Sequence, residues 1–358
     1  MSRSLMLSFA ALCLAGCGLM RDDWNSPVPP LEQGPAAPTA PGITAQWFGV
    51  STLRFSDGET TILIDGFLSR PHWLPAALLP LATDEELVRN TLHAHGLRKI
   101  DALLVAHSHY DHALDAPFVA SETGAVLVGS ASTAAIAQGA RPAPERVCQV
   151  KGGDWIRVGK FDIRILATPH IATLLDGQVE SHFAPRSRIY RYQLGENFSF
   201  LLRHPLGAIL VVPSAATEAG MFMDVRADIV FLSIAQLGKR HPGEIGEFWR
   251  EAVKDRGAFL VIPIHWDNFT RPLDRPPRPF RWPIDRVGAA LDELQRQAAA
   301  TPGVALRMMP IAQAVRLPAR SASPAPPQDP GIQPDIDAEH RRCEDILRAA
   351  SEPGRVDQ

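Results

Sequence analysis

One short segment decides the fold: residues 103–112 read LLVAHSHYDH. The apolar residues at its start predict a buried strand, and a His-x-His-x-Asp-His cluster follows directly. Side chains of an extended chain alternate with a period of two, so His107 and His109 point the same way. Asp111 and His112 come after the strand, where the chain turns and can present them to a second ion. The cluster predicts a metal site, and a His-rich turn in solvent is the alternative.

Two further histidines follow the carboxyl ends of apolar segments: His170 comes after 161–167 and His265 after 259–264. A single histidine in such a place is more often a turn residue than a ligand, but two of them beside the cluster favour ligation. Zn²⁺ suits nitrogen and oxygen ligands, and Mn²⁺ or Fe²⁺ is the alternative. The other histidines lack partner spacing and are predicted surface or turn residues: His72, His93, His95, His204, His241 and His340.

The composition is that of a globular protein. The chain has 358 residues, of which 46% are hydrophobic and 21% charged, and its formal net charge is -3. A nucleic-acid-binding protein needs a basic surface, which this charge balance does not supply. The sequence therefore predicts no nucleic-acid partner.

The N-terminus predicts export. Residues 1–17 read MSRSLMLSFAALCLAGC, and the apolar stretch 5–14 is too short to span a bilayer, as in a secretory signal peptide. Residues 14–17 (LAGC) resemble a bacterial lipobox, which implies cleavage before Cys17 and lipid attachment to its sulfur. Gly18 follows, rather than an aspartate, and this favours the outer membrane facing the periplasm. An ordinary signal peptide is the alternative.

Proline-rich segments bracket the central part of the chain. After the signal peptide, residues 18–42 predict an extended Pro-rich tether, and 319–358 a Pro-rich linker with a C-terminal tail. Residues 43–318 between them are long enough to bury a full core as one domain. Cys148 and Cys343 could form a disulfide or remain two free thiols.

Apolar strand-like runs alternate with helical patterns, which predicts an α/β domain. The predicted strands are 43–48, 52–55, 61–64, 102–106, 125–128, 161–167, 188–194, 198–203, 208–212, 229–233 and 259–264. The predicted helices are 84–95, 130–138, 243–255 and 284–299. The pattern by itself allows two sheets covered by helices or a single doubly wound sheet.

In the order of these candidate residues along the chain, the sequence resembles the metallo-β-lactamase superfamily. Asp65 after an apolar strand, the cluster at 107–112, His170 and His265 follow the order of the family's motifs. The resemblance implies an αββα sandwich with its site at one edge between two sheets. It also implies two groups of ligands, which are His107, His109 and His170 for the first metal and Asp111, His112 and His265 for the second.

One element departs from the family pattern. Ser214 stands where the family usually has an aspartate that bridges the two metals. A hydroxyl is a poorer ligand than a carboxylate, so we expect two ions with weaker binding of the second, and keep one ion as the alternative. Asp111 and Asp65 are the predicted catalytic residues, Asp111 by holding the nucleophile and Asp65 by orienting ligands or anchoring its turn.

Residues 106–115 (AHSHYDHALD) and 47–53 (WFGVSTL) are most similar to the branch containing N-acyl-phosphatidylethanolamine phospholipase D and ascorbate-6-phosphate lactonase. The segment after the third histidine is the family's usual place for substrate contacts. Here it contains His182, Arg186 and Arg188, and two arginines can hold a phosphate by bidentate bonds. A solvated loop is the alternative for this segment.

The resemblance implies a metal-dependent hydrolase in the cell envelope. A metal ion lowers the pKa of bound water from 15.7 to about 7, and the resulting hydroxide would attack an ester, a lactone or a phosphodiester. The expected substrate is a small molecule or a lipid, phospholipid-derived compounds included, and the expected membrane contact is the lipid anchor. A non-catalytic lipoprotein that binds metal or a partner on the same fold is the alternative.

Overall fold

The computed structural model describes residues 26–32, 42–140, 146–180, 183, 184, 186–319, 343 and 345–348. The predicted signal peptide with Cys17, His182 and most of the two Pro-rich segments lie outside these residues. Within the described part of the chain, every helix is too short or too polar to cross a membrane.

The first half of the chain builds one sheet and the helices beside it. Its strands are β1 (Thr44–Trp47), β2 (Leu53–Ser56), β3 (Thr61–Ile64), β4 (Ala102–Leu104), β5 (Val126–Gly129) and β6 (Val147–Gln149). Its helices are α1 (Trp73–Leu78), α2 (Glu85–Ala94), α3 (Tyr110–Ala113), α4 (Ala116–Thr123) and α5 (Ala131–Ala140).

The second half builds the other sheet and returns one strand to the first. Its strands are β7 (Trp155–Val158), β8 (Phe161–Ala167), β9 (Phe198–His204), β10 (Gly207–Val212), β11 (Ile229–Ser233), β12 (Leu260–Ile264), β13 (Ala305–Leu306) and β14 (Ala314–Arg316). Its α-helices are α6 (Pro242–Ala252) and α7 (Val287–Ala299), and 3₁₀ turns cover Ile189–Arg191, Leu237–Lys239 and Lys254–Arg256.

Both sheets have seven strands and mixed direction. The strand order is β14-β1-β2-β3-β4-β5-β6 in the first sheet and β13-β12-β11-β10-β9-β8-β7 in the second. Strands β3 to β6 are parallel to one another, and so are β10 to β13, while the remaining neighbours are antiparallel. The carboxyl ends of parallel strands meet at one edge of a sheet, which is where an α/β protein binds its ligands.

Alternation along the strands separates two hydrophobic cores. Ile64 and Leu104, paired across β3 and β4, pack in the core shared with the second sheet. Their neighbours Leu63 and Leu103 point the opposite way and pack on the helices of the first half. Residues of α6 and α7 join the core of the second sheet. The result is the predicted αββα sandwich of two sheets between helices.

Helix α2 illustrates how local sequence fixes an element of the outer layer. The Asp84 side chain accepts a hydrogen bond from the Leu87 amide at 3.0 Å, which satisfies a free N–H at the first turn. Val88 and Leu92, four residues apart, are the buried positions that face the sheet. The predicted helix 84–95 is confirmed within one residue at each end.

The predicted strand 188–194 was wrong. Residues Ile189–Arg191 form a 3₁₀ turn, and no strand is formed within 188–194. The Leu194 carbonyl accepts from Ser108 N at 2.9 Å, and the Tyr192 ring packs 4.8 Å from Phe183. Alternating burial in an irregular segment produced the same sequence pattern as a strand.

Part of the predicted tether belongs to the domain. Residues 26–32 lie along its surface, where Pro30 bridges Met308 and Val28 is buried. The C-terminal tail is also attached, because Cys343 forms a disulfide with Cys148 of β6. Of the two alternatives for these cysteines, the structure therefore has the disulfide.

His204 was wrongly predicted to be a surface or turn residue. It is 6% exposed at the end of β9, and its Nε2 lies 3.2 Å from the carboxylate of Asp57. The Phe161 ring packs 4.7 Å from the imidazole. The pair joins the two sheets at the end of the sandwich away from the carboxyl ends of the parallel strands.

Candidate metal centre

Three strand ends carry the predicted ligands to one edge of the sandwich. His107 follows β4 of the first sheet, whereas His170 follows β8 and His265 follows β12 of the second. The Phe198 amide donates to Ala106 O at 2.8 Å and so joins the sheets just before the cluster. The edge between the two sheets is therefore where these side chains meet.

The first group consists of His107, His109 and His170. One ring nitrogen from each lies within 4.8 Å of those of the other two. The ring centre of His107 is 4.8 Å from that of His109 and 4.5 Å from that of His170. Three neutral imidazoles at these separations can bind a single divalent cation.

The second group consists of Asp111, His112 and His265, which are brought together across 154 positions of sequence. Their candidate ligand atoms also lie within 4.8 Å of one another. A carboxylate oxygen of Asp111 is 3.5 Å from His265 Nε2 and 3.7 Å from His112 Nε2. The ring centres of His112 and His107 are only 3.8 Å apart, so the two groups adjoin.

Unpartnered ring nitrogens test whether a metal fits this site. Both nitrogens of His107, Nε2 of His109 and Nδ1 of His265 are buried without a hydrogen-bond partner. Buried polar atoms are normally paired, and exceptions of this kind call for a specific cause. A cation at the first group would accept the lone pairs of His109 Nε2 and of one nitrogen of His107. The residues present therefore fit a divalent metal.

Asp65 lies behind the ligands and orients one of them. Its Oδ2 accepts from His112 Nδ1 at 2.8 Å and from the Ser51 hydroxyl at 2.5 Å, while its Oδ1 accepts from Ala106 N at 2.8 Å. His112 Nδ1 must then carry the proton, which leaves Nε2 free to ligate. Asp65 has a φ of 63° and is fully buried. We interpret it as a positioning residue, because it does not line the cavity beside the ligands.

Two further ligands are oriented by the backbone. His170 Nδ1 lies 2.6 Å from Ile171 O, and His109 has a hydrogen bond to the backbone of Leu175. Donation of one ring proton to a carbonyl turns the opposite nitrogen of each ring towards the site. The loop that follows β8 supplies both carbonyls and thus fixes the tautomers of His170 and of His109.

The electrostatics favour neutral His107 and His170 and an ionised Asp111. Burial, reinforced by the neighbouring histidines, holds the pKa of His107 well below its usual value. Burial and His109 lower the pKa of His170 to about 4. Burial alone would raise the pKa of Asp111, but His112 and His265 outweigh it and lower that pKa. These are the protonation states that metal ligands require.

A cavity of about 200 Å³ opens beside both groups. Ser214, at the predicted position of the missing bridging aspartate, lines it and accepts a hydrogen bond from Ile171 N at 3.3 Å. Phe269, Phe280 and Asp285 also line it, although no sequence motif marked them. They come from the irregular segment between β12 and α7, and Asp285, which the predicted helix 284–299 included, lies before the observed start of α7 at Val287.

A buried ion pair behind His265 was also missed. Arg70 donates to the Asp267 carboxylate, and the two side chains are only 3% and 0% exposed. Asp267 accepts from Val50 N at 2.8 Å as well, and the His265 amide donates to Val50 O at 2.9 Å. The position of Asp267, two residues after a predicted ligand, was the available signal. The partner Arg70 is 197 positions away in sequence and left no signal.

The predicted substrate residues are not brought to the cavity where they are described. Arg186 and Arg188 are exposed, and neither lines it. Arg188 Nη1 donates to Leu78 O at the end of α1, at 3.1 Å. His182 lies outside the described residues. Of the two alternatives for this segment, the arginines fit the solvated loop.

Known proteins resemble this chain in both sequence and fold. The sequence profile of the metallo-beta-lactamase superfamily matches residues 45–186, which include Asp65, the 107–112 cluster and His170. A UPF0173 metal-dependent hydrolase of Cupriavidus necator is 26% identical over 309 residues, covering 80% of this chain and 94% of the relative. These matches support membership of the metallo-beta-lactamase superfamily, with residues 45–186 as the part that carries its profile.

Other metal-dependent hydrolases match over similar lengths. A UPF0173 metal-dependent hydrolase of Methanopyrus kandleri is 25% identical over 251 residues, or 68% of this chain and 91% of the relative. Among solved structures, Igni18, a metallo hydrolase from Ignicoccus hospitalis, aligns with a TM-score of 0.49 at 17% identity, over 77% of this chain and 98% of that one. The narrower branch suggested by residues 106–115 stays a prediction.

Proposed function

We propose that this metal-dependent hydrolase cleaves an ester, lactone or phosphodiester bond in a small-molecule or lipid substrate. The observation that carries the proposal is the convergence of six ligand candidates, from separate strand ends, on one open cavity. The proposed metal is Zn²⁺, because imidazole and carboxylate groups at this density suit it. Mn²⁺ and Fe²⁺ accept the same ligands and are outcomes of the metal analysis below.

The first group would hold one ion and the second group another. A divalent ion supplies Lewis acidity, which polarises the bond to be broken and makes a water acidic near neutral pH. Asp111 would hold the attacking water, because its lowered pKa keeps the carboxylate ionised and able to accept a hydrogen bond from it. Asp65 would hold His112 in the ligating tautomer through its bond to Nδ1.

Occupancy of the second group is proposed to be the weaker of the two. Ser214 lines the cavity where a bridging carboxylate would be expected, and its hydroxyl already accepts from the backbone. Asp111, His112 and His265 still offer three ligands. Binding of two ions with unequal affinity follows from a full first group and a second group that lacks one anionic ligand.

The test is metal analysis joined to turnover on the full chain. Bound metal per chain is measured by elemental analysis, and hydrolysis is then measured on a panel of esters, lactones and phosphodiesters. His107→Ala and His170→Ala are expected to lose turnover by at least about a hundredfold, because a catalytic metal stops functioning when a ligand is lost. A chelator is expected to abolish wild-type turnover, and added metal to restore it.

His93→Ala is the matched control, since His93 is exposed on α2 and is predicted to leave turnover unchanged. Circular dichroism reports whether each variant is folded. Full activity in a folded His107→Ala protein would contradict the proposed site. A metal-loaded wild-type protein that cleaves none of the panel would instead favour the non-catalytic lipoprotein.

We further propose that the mature protein is anchored in the cell envelope through Cys17, with its domain in the periplasm. The supporting observations are the lipobox-like residues 14–17 and the Cys148–Cys343 disulfide, a bond that persists in oxidising compartments. Labelled fatty acid is expected to enter the wild-type protein but not Cys17→Ala. An unlabelled wild-type protein in the soluble periplasmic fraction would contradict the anchor.

A further inference from the structure

The cavity beside the ligand groups has an apolar lining. Phe269 packs 5.8 Å from the ring centre of His265 and 4.9 Å from that of Phe280, so aromatic surface adjoins the second group. Ile171 and Ile284 line the same cavity. The Ile284 side chain is 56% exposed, although it is apolar. This surface extends from the ligand groups to the solvent.

The titratable side chains that line the cavity are the predicted metal ligands and two further carboxylates. Among the described residues that line it, none is lysine or arginine, and the acidic ones are Asp111, Asp267 and Asp285. Asp267 is paired with Arg70, and Asp285 accepts from the amides of Gln236 and Arg286 at 2.9 and 2.6 Å. Beyond the metal positions, this lining offers no cation to a charged substituent. A phosphate monoester would normally be bound by such cations.

The volume of the cavity, like its lack of cations, suits an uncharged apolar group. An apolar cavity of about 150 Å³ can hold a benzene ring. The cavity here has a volume of about 200 Å³ and continues into solvent past Ile284. It can therefore admit a short alkyl or aryl group while the scissile bond lies at the ligand groups.

We propose that Phe269, Phe280 and Ile284 form a binding surface for the apolar acyl group of an uncharged ester or lactone. The proposal rests on the proposed hydrolase function and narrows its substrate class. Burial of each methylene on this surface gains at most about fourfold in affinity. The surface would favour longer acyl groups and disfavour substrates with a phosphate monoester at that place.

Binding of product-like carboxylates tests the surface without turnover. Acetate and hexanoate are titrated into the zinc-loaded full chain by calorimetry. Both carry one carboxylate, so their difference reports the alkyl chain alone. Hexanoate is expected to bind at least tenfold more tightly than acetate. Phe280→Ala and Ile284→Ser are each expected to reduce that ratio by at least threefold.

Phe118→Ala is the matched control. Phe118 is partly buried on helix α4, under the Arg89 side chain, and does not line the cavity. This variant is expected to keep the wild-type ratio. Ile284→Ser changes an exposed side chain, so it keeps the test valid should Phe280→Ala fail to fold.

Turnover supplies a second readout. The p-nitrophenyl ester of hexanoate is expected to exceed that of acetate in kcat/KM by at least tenfold, and p-nitrophenyl phosphate to be the poorest of the three. Equal binding of the two carboxylates, an unchanged ratio in both variants, or fastest cleavage of the phosphate would overturn the inference. A tenfold binding ratio without turnover of any substrate would support the surface and contradict the hydrolase.

Discussion

Replacing Arg70 with methionine is expected to destabilise the protein by about 3–5 kcal/mol, the usual effect of removing one partner from a buried ion pair. Arg70 and Asp267 are 3% and 0% exposed, so water cannot replace the lost guanidinium. Arg70 also donates to Arg271 O at 2.7 Å and to Phe48 O at 3.0 Å. The change leaves a buried carboxylate without its guanidinium partner and three carbonyls, that of Asn268 included, without this donor.

The effect should extend to the second ligand group. Asp267 lies two residues after His265 and also holds the Val50 amide at 2.8 Å, while Val50 O accepts from His265 N. Loosening of this loop is expected to weaken metal binding at the second group more than at the first. Elemental analysis after dialysis should therefore show a loss of metal of up to one ion per chain.

The assay is urea denaturation in the presence of a chelator, so that metal binding does not enter the free energy of unfolding. Arg157→Met is the matched control, because Arg157 is 75% exposed in its pair with Asp162. An exposed pair contributes only about 0–1 kcal/mol. The double variant Arg70→Met/Asp267→Asn is expected to recover part of the loss, since it removes the unpaired charge. If Arg70→Met is no less stable than the control variant, the reasoning is refuted.

Three further predictions concern other parts of the molecule. Burial alone would raise the pKa of Asp57, but hydrogen bonds from the backbone and from His204 outweigh it and lower that pKa. The stabilisation is therefore present above the unfolded pKa of 3.8 and is lost as the pH falls through the folded pKa. The stability difference between wild type and Asp57→Asn should shrink from pH 6 to pH 3, and a constant difference in urea midpoints would contradict this. Ser214→Asp is expected to tighten the second metal at least tenfold in a chelator competition, because a carboxylate is the better ligand, and unchanged affinity would show that this residue does not reach the ion. Cys343→Ser is expected to lower the free energy of unfolding by about 2–5 kcal/mol, because Cys148 and Cys343 close a long loop. Reductant should have no further effect on this variant, and equal stability of wild type and variant would contradict the prediction.

The positions at which a strand ends and a ligand histidine follows were predictable, because strand and histidine are close in sequence. The apolar run into His107 marks both a buried strand and the place where it ends, and the same is true before His170 and His265. Each of these histidines lies in the site where the sequence predicts it. The segment 188–194 shows the limit of such patterns, because alternating burial there reflects packing of an irregular loop rather than sheet pairing.

The sequence by itself determined the α/β class and the ligand candidates, because strand periodicity and ligand chemistry are properties of neighbouring residues, and its resemblance to a known family implied the αββα sandwich. Only the tertiary structure decided which side chains stand around those ligands. Arg70 meets Asp267 across 197 positions, and Phe280 meets Phe269 in a segment without periodicity. Contacts of this kind depend on how the two sheets and their loops pack together, and a single sequence carries no local signal for them.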